Sequence, residues 1–344
     1  MTHKKVTIAD IAQDMGISKS TVSKALSAAT DINEQTRMRI LTRASELGYY
    51  IKKYKPQSQG DFAVFVEGID YTNIDQFGHE VILGFQMMAG EQNYGVKIIA
   101  DHDETKFAAR FCKEMERGDY KGCFFLGFKA DSAYTRELKR FGIPAVILDN
   151  GVDTAGVARV GYDSVAGIRQ AVQHLYSLGH RCISFLGGEQ DSTGITAERR
   201  AAFEQAMQQF GLPIGKDSVF YSGYYDTYNP NVVEKIVKTN TTGIVCASDF
   251  IAIRTVEKLK QMNLCVPKDI SVVGFDDIPA ARYCTPAITT VAQNKLQLGK
   301  IACHALLLLE QGAPLGDIVL KPEFCLREST AIAKKIDKKE EKHI

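Results

Sequence analysis

Short apolar runs alternate with amphipathic stretches along residues 61–330, and this alternation constrains the fold more than any other feature. The apolar runs are 62–66, 96–100, 122–126, 145–148, 182–186, 243–246 and 270–274. Stretches of helical period lie between many of them, at 78–94, 104–117, 131–141, 164–178, 196–210, 229–239, 249–262 and 294–311. Because strands this apolar are buried on both faces, the pattern predicts an α/β body of parallel sheets wrapped by helices. Ligands of such sheets bind at the carboxyl ends of the strands.

Length and composition exclude several classes of protein. The chain has 344 residues, which suggests roughly two or three domains of about 150 residues each. The 45% hydrophobic content excludes a wholly disordered chain, and no run approaches the ~18 apolar residues of a membrane-spanning helix. The N-terminus has no apolar segment typical of a signal peptide. None of the eight cysteines forms a CxxC pair, so we expect reduced thiols and a cytoplasmic protein.

The nearly neutral total charge hides a basic head on a mildly acidic body. Residues 1–60 carry ten Lys and Arg against five Asp and Glu, a net charge of +5. The rest of the chain carries a net charge of −4. Such a division is typical of a head that meets a polyanion, although +5 over this length is also compatible with an ordinary surface.

The head is predicted to contain three short helices. Thr7 is a plausible N-cap of the first and Gly16 its end, whereas Ser18 caps the second and Gly48 ends the third. The apolar faces of the three helices are Ile8, Ile11, Ala12 and Met15, then Val22, Ala25 and Leu26, then Ile40, Leu41, Ala44 and Leu47. A helix, a tight turn, a second helix and a supporting third helix form the helix-turn-helix plan.

The second helix leaves a polar and cationic face outside. Burial of its apolar residues exposes Lys19, Ser20, Ser23 and Lys24, with Thr21 at the edge. Short polar groups and lysines suit a major groove about 12 Å wide, where they meet base acceptors, thymine methyls and phosphates. A solvated helix face is the alternative, but the Gly-Ile-Ser turn, the basic charge and the N-terminal position together favour DNA.

These motifs carry a family resemblance. The segments VTIADIA, GIS, STVSKAL, TR and ELGY, at 6–12, 16–18, 20–26, 36–37 and 46–49, resemble the lactose repressor/galactose repressor family. The likeness continues to about residue 330. It implies a DNA-binding head at 1–50, followed by a linker or hinge at 51–60. The DNA-contacting set of the two segments is Thr7, Ser18, Lys19, Ser20, Thr21, Ser23, Lys24, Ser27, Thr36, Tyr49, Lys52 and Lys53.

One segment departs from the family pattern. Family members usually carry a short hinge helix whose leucine wedges into the minor groove. Residues 51–60 here contain no leucine, and Pro56 interrupts any helix. Lys52 and Lys53 are expected to contact phosphates, but a plain linker is the favoured interpretation. We therefore expect weaker operator bending than is typical of the family.

For the body, the resemblance implies the two-lobed fold of periplasmic binding proteins, with an effector cleft between the lobes. Each lobe is discontinuous in that fold. The implied first lobe is about 61–158 plus 293–318, and the second about 159–292 plus 319–330. A charged tail at 331–344 is expected to be disordered. It has no leucine heptads, so a homodimer is expected.

Polar residues at strand ends are the candidate cleft residues. A neutral polyol needs carboxylates that accept from its hydroxyls, a guanidinium that donates, and aromatic faces. The residue pattern and the resemblance together give Tyr71, Asp149, Arg199, Ser248, Asp249, Phe275 and Asp276 as the effector-binding set. Three alternatives stay open: Asp249 caps its helix, Asp277 holds its loop, and Arg200 faces solvent. Phe77, Tyr225 and Lys129 are weaker candidates.

The combined interpretation is a transcriptional regulator that represses carbohydrate-utilisation genes. Its expected partners are a near-palindromic double-stranded DNA operator, a sugar or sugar derivative as effector, and a second copy of itself, with no membrane partner. It is expected to be cytoplasmic and associated with the nucleoid. No catalytic residue, metal site or cofactor is predicted, and 180–182 (His-Arg-Cys) resembles a structural joint. A sugar-binding protein of transport type and an enzyme acting on a sugar-like substrate are the alternatives.

Overall fold

Two compact units, Met1–Ser58 and Gln59–Ile344, make up the chain. The computed structural model describes residues 6–26, 32–33, 36, 39–40, 43–44, 47, 59–74, 76–101, 104–128, 133–151, 154–189, 194–224 and 227–334. Among these, only the backbone is described at 101, 104–108 and 133–135. Ser27, Tyr49, Lys52 and Lys53 of the predicted DNA-contacting set therefore lie outside the described residues, as do Lys129, Tyr225 and 335–344.

The head begins with helices α1 (Ile8–Met15) and α2 (Lys19–Leu26), as predicted. The Thr7 hydroxyl accepts a hydrogen bond from the Asp10 amide at 3.3 Å, and the Asp10 carboxylate accepts from the Thr7 amide at 2.8 Å. This capping box satisfies amides that the helix itself leaves free. Gly16 ends α1 at φ +65°, a left-handed conformation that favours glycine. Ser18 Oγ accepts from the Thr21 amide at 3.0 Å, which starts α2.

A small apolar core joins these two helices to a third helical segment, whose described residues at 36, 39–40 and 43–44 are helical. Its buried members are Ile11, Ala12, Val22, Ala25, Ile40 and Ala44. Arg43 also binds the Asp14 carboxylate through two nitrogens, at 2.6 and 2.9 Å. That hydrogen bond holds the pKa of Asp14 below its usual range.

The described residues of the body form two six-stranded sheets, and each sheet is the core of one lobe. The first sheet is parallel throughout, in the order β11-β5-β4-β3-β1-β2, and the second has the order β12-β10-β9-β8-β6-β7 with only β12 antiparallel. The first sheet consists of β1 (Asp61–Glu67), β2 (Gly95–Asp101), β3 (Tyr120–Leu126), β4 (Ala145–Leu148), β5 (Val157–Tyr162) and β11 (Ile318–Leu320). The second consists of β6 (Ile183–Gly187), β7 (Val219–Tyr221), β8 (Gly243–Cys246), β9 (Ser271–Asp276), β10 (Thr289–Ala292) and β12 (Glu323–Cys325).

Helices cover both faces of the two sheets. They are α3 (Phe77–Glu91), α4 (Glu104–Arg117), α5 (Ala133–Phe141), α6 (Ser164–Ser177), α7 (Gly194–Gln209), α8 (Asn231–Val237), α9 (Asp249–Gln261), α10 (Pro279–Tyr283) and α11 (Lys295–Glu310). Within the part of the chain that the structure describes, none is long and apolar enough to span a bilayer.

The chain crosses between the lobes three times. Strand β5 continues to Tyr162 in the first sheet, so the expected boundary at 158/159 falls inside this strand. The reason is that β5 pairs with β4 on one side and with β11 on the other. Strand β11 likewise extends to Leu320, so the last crossing follows 320 rather than 318. The middle crossing lies between β10 and α11.

Helix α11 returns to the first lobe and packs closely on α3. Leu298, Ala302 and Leu306 of α11 are buried in the first lobe's core. A Cβ atom at Gly84 would lie 2.0 Å from the Leu296 carbonyl oxygen, and one at Gly299 would lie 1.9 Å from the Val81 carbonyl oxygen. Glycine at both positions therefore lets the two helix backbones touch.

The C-terminal segment is tied to the second lobe. His180, which is buried, contacts the Thr242 hydroxyl through Nδ1 at 2.9 Å and the Ala331 carbonyl through Nε2 at 3.0 Å. The Ala333 amide donates to the Leu178 carbonyl at 2.9 Å. The prediction of a disordered tail from 331 is thus wrong for 331–334, because these residues are hydrogen-bonded to elements distant in sequence.

Candidate functional site

The carboxyl edges of the two sheets meet at a cleft between the lobes. Arg159 on β5 donates from Nη2 to Glu198 Oε2 on α7 at 3.3 Å, which joins the first lobe to the second. Beside this ion pair lies a cavity of about 380 Å³. It is lined by Asp149, Asn150, Gly151, Arg159, Gly194, Ala197, Glu198, Arg200 and Ala201. This volume falls at the lower end of the range of small-molecule sites, roughly 300–1,000 Å³.

Arg199 on α7 is buried beside the cleft. Its Nη1 donates to the Ala247 carbonyl at 2.5 Å and lies 3.5 Å from Asp276 Oδ1. Its guanidinium carbon sits 3.7 Å from the centre of the Phe275 ring, which supports the planar group from one face. Its Nε atom is buried and has no hydrogen-bond partner among the residues that the structure describes. An unpaired donor on a buried cation is costly, so Arg199 is suited to meeting an acceptor on a ligand.

Asp276 ends β9 and faces Arg199. Its Oδ1 accepts from Gln293 Nε2 at 2.7 Å. Burial raises the pKa of Asp276, although Arg199 and Lys295 oppose this effect. Gln293 follows β10, another strand of the same sheet, and within the described part of the chain its buried Oε1 likewise has no hydrogen-bond partner. The sequence did not identify Gln293, because the short Thr-Thr-Val-Ala strand before it is not apolar enough to be recognised.

Asp149 reaches the cleft from the first lobe. It follows β4 with φ +62° and lines the cavity. Burial raises its pKa to about 6, with Arg199 opposing. A carboxyl that protonates slightly below neutral pH can donate as well as accept a hydrogen bond. Asp149, Arg199 and Asp276 thus combine groups from both lobes that can accept from and donate to a polar ligand.

Asp249 and Ser248 have structural roles. Asp249 is fully buried, and its two oxygens accept from the Ile278 amide at 2.9 Å and from the Thr290 hydroxyl at 2.6 Å. Burial raises its pKa well above the usual value. Ser248 is the N-cap of α9, so Asp249 does not fill that position. The prediction that Asp249 contacts the effector is not supported, because its carboxylate is turned into the second lobe.

Of the two aromatic candidates, Phe275 is fully buried and Tyr71 is half-buried. Phe275 is fully buried under Arg199, so it supports that side chain instead of stacking on a ligand. Tyr71 lies in the loop after β1, where it packs against the core of the first lobe. Its carbonyl also contacts His79 Nδ1 at 3.1 Å.

Asp277 and Arg200 also differ in role. The Asp277 carboxylate is bound by Arg282 and Arg327, so it holds the α10 loop as one alternative predicted. Burial alone would raise the pKa of Asp277, but these arginines outweigh it and lower that pKa. Arg200 does not simply face solvent, because it lines the cavity and its Nε is buried.

The sequence did not identify Arg159 and Glu198 as cleft residues, since only the fold brings these two side chains together.

The predicted DNA-contacting face is present on α2. Lys19, Ser20, Ser23 and Lys24 are exposed, and Thr21 is partly buried. Ser18 Oγ contacts the hydroxyls of Ser20 at 2.7 Å and Thr21 at 2.8 Å besides capping the helix. Thr7 is occupied by its capping box, and Thr36 is exposed on the third helical segment.

Two family models match the chain. Residues 7–51 match the model described as "Bacterial regulatory proteins, lacI family", and 172–330 match that of a periplasmic binding protein-like domain.

Several characterised proteins are similar over nearly the whole chain. The HTH-type transcriptional regulator RegA of Clostridium saccharobutylicum is 26% identical over 94% of this chain and 99% of its own length. The HTH-type transcriptional regulator MalR of Streptomyces coelicolor is 28% identical over 95% of this chain and 97% of its own length. A structure of the transcriptional regulator CelR in complex with cellobiose has the same fold. It superposes with a TM-score of 0.73 at 22% identity, over 94% of this chain and all of its own.

Proposed function

Since the chain belongs to the LacI family of bacterial regulatory proteins and is a DNA-binding transcriptional regulator, we propose that it represses carbohydrate-utilisation genes under the control of a small sugar-like effector. The effector binds between the lobes. One observation carries the proposal: Arg199 on α7 and Asp276 at the end of β9 are buried 3.5 Å apart in the second lobe, close to Asp149 of the first. A ligand held by all three groups favours one arrangement of the lobes over another.

The chemistry of this site supports a polyhydroxylated ligand. Carboxylates accept from hydroxyl groups, and the buried Arg199 donor needs an acceptor oxygen. Arg159 and Arg200 also line the neighbouring cavity, so sugars that carry a carboxylate belong among the compounds to be tested.

A thermal-shift screen of the full chain tests the effector proposal. Neutral sugars, sugar acids and nucleosides are added singly at millimolar concentration. A true effector at 100 times its dissociation constant stabilises the native state by about 2.7 kcal/mol and raises the melting temperature accordingly. If no sugar or sugar acid stabilises the protein while a nucleoside does, the sugar-like class is wrong.

We further propose that the regulator acts as a homodimer on a near-palindromic operator. Two heads related by a twofold axis can read two half-sites. Large apolar side chains are exposed on both lobes: Leu83 and Met87 on α3 at 42% each, and Tyr283 and Leu326 on the second lobe at 85% and 66%. Because a contiguous patch of exposed apolar side chains marks a surface that a partner covers, these residues are the candidates for the dimer interface.

A Tyr283→Asp variant tests the dimer. In a symmetric dimer the new charge is present twice in the apolar interface, which destabilises the dimer. We therefore expect sedimentation equilibrium to show that the variant is monomeric at concentrations where the unaltered chain is dimeric. Tyr221→Asp, a change at a less exposed position on edge strand β7, serves as the comparison. Equal dimerisation of the Tyr283→Asp chain and the unaltered chain would exclude this surface.

A further inference from the structure

Lys295 is a buried cation at the middle crossing between the lobes. It is 4% exposed and is the first residue of α11, the helix that returns to the first lobe. Its Nζ donates to the carbonyl oxygens of Asp276 at 3.0 Å and Asp277 at 2.8 Å, and the Gln293 carbonyl lies 3.4 Å away. Its ion-pair partner is Glu80, whose Oε2 is 3.3 Å distant.

The turn that Lys295 holds is conformationally strained. Asp276 has φ +111° and Asp277 has φ +52°, which are left-handed values for residues other than glycine. Such residues persist only where the surrounding structure restrains them. The two carbonyl groups of this turn both accept hydrogen bonds from the Lys295 ammonium group, which has three N–H donors. Lys295 therefore restrains the backbone that aims the Asp276 carboxylate at Arg199.

Lys295 and its counter-charge Glu80 both belong to the first lobe, on the packed helices α11 and α3. Glu80 belongs to the first turn of α3, whereas the turn at Asp276 and Asp277 ends β9 of the second sheet. A buried ammonium group depends strongly on its ion-pair partner, because the charge has lost its hydration. A side chain of the first lobe thus secures the cation that restrains a turn of the second.

We propose that Lys295 is a positioning residue, which couples the arrangement of the lobes to the geometry of the turn at Asp276. A lobe movement that draws the Lys295 ammonium group away from this turn loosens the turn and displaces the Asp276 carboxylate. Conversely, a ligand that fixes Asp276 stabilises the lobe arrangement in which Lys295, held by Glu80, binds the carbonyl groups of this turn. This inference rests on the proposed function in one respect, namely that Asp276 binds the effector. The coupling itself is present without a ligand.

Hydrogen exchange of the full chain, measured by mass spectrometry without ligand, tests this coupling. The Glu80→Gln variant alters the first lobe, and the reporting peptide is 275–283 in the second. Its Ile278 amide is protected by a hydrogen bond to Asp249. We expect exchange in this peptide to become roughly tenfold faster, the factor given by the loss of one contact between charged groups. Glu91→Gln, at the exposed far end of the same helix, is the matched control and should leave the peptide unchanged.

The reference peptide covers β6 (Ile183–Gly187), which belongs to the same sheet as β9. If Glu80→Gln leaves the exchange of peptide 275–283 unchanged, the coupling is refuted. It is also refuted if exchange becomes faster to the same extent in the β6 peptide, because equal acceleration reports only a general loss of stability. Lys295→Met should give the same local pattern more strongly, with Lys300→Met on the same helix as its control. Failure of the ligand screen leaves this test intact, and a negative exchange result leaves the effector site intact.

Discussion

Replacing Lys19 by alanine is expected to weaken operator binding by about 100-fold or more. Lys19 is exposed in the first turn of α2, on the face proposed to enter the major groove. A specific contact to a base is worth about 1–3 kcal/mol, and the homodimer loses it twice. The measurement is fluorescence anisotropy on a duplex that the protein itself selects from a random pool.

The matched control is Lys216→Ala, which removes the same charge from an exposed position on the body. It should leave operator affinity nearly unchanged. Lys19→Ala should also reduce the slope of log affinity against log salt if the lysine contacts a phosphate, and leave that slope unchanged if it contacts a base edge. Equal affinities of the two variants would remove α2 from the DNA-contacting surface.

Asp276→Asn is expected to weaken effector binding by about 10- to 100-fold. The change keeps the volume of the side chain but removes the charge that faces Arg199 and the acceptor offered to a ligand hydroxyl. Hydrogen bonds to charged groups contribute about 1.5–3 kcal/mol, which corresponds to this loss of affinity. Isothermal titration with the compound found by the ligand screen gives the dissociation constant.

Asp249→Asn is the informative control for that experiment. Both carboxylates follow neighbouring strands of the second sheet, but the two oxygens of Asp249 are bound by Ile278 and Thr290. We therefore expect Asp249→Asn to lower the melting temperature while the effector's dissociation constant changes little. If Asp249→Asn weakens the effector as much as Asp276→Asn does, the structural role assigned to Asp249 is wrong.

Local signals explain why the head could be predicted in such detail. Thr7, Gly16 and Ser18 act within three or four residues of their own positions, and the apolar spacing of α2 buries Val22 and Ala25 as expected. Likewise, the apolar runs of the body are long enough to indicate strands. Strands β5 and β10 were harder to recognise, because Arg159 interrupts the first and threonines begin the second.

The cleft could be located but not fully interpreted from sequence. Strand ends placed Asp149, Asp249 and Asp276 near the site, since carboxyl ends of parallel strands share one edge. The direction of each side chain depends on partners far away: Thr290, 41 residues after Asp249, draws that carboxylate inward. The same holds for Lys295, whose ion-pair partner Glu80 is far away in the sequence, on a different helix. No local pattern contains that information.

Ligand-dependent operator binding is the most direct test of the account. The full-length chain is titrated onto its selected duplex with and without the compound found by thermal shift, and the Asp276→Asn chain is treated identically. A coupling free energy of about 1–3 kcal/mol predicts a change in operator affinity of roughly 5- to 150-fold for the unaltered chain, and little change for the variant at the same ligand concentration. A compound that binds in the cleft and leaves operator affinity unchanged would contradict the account.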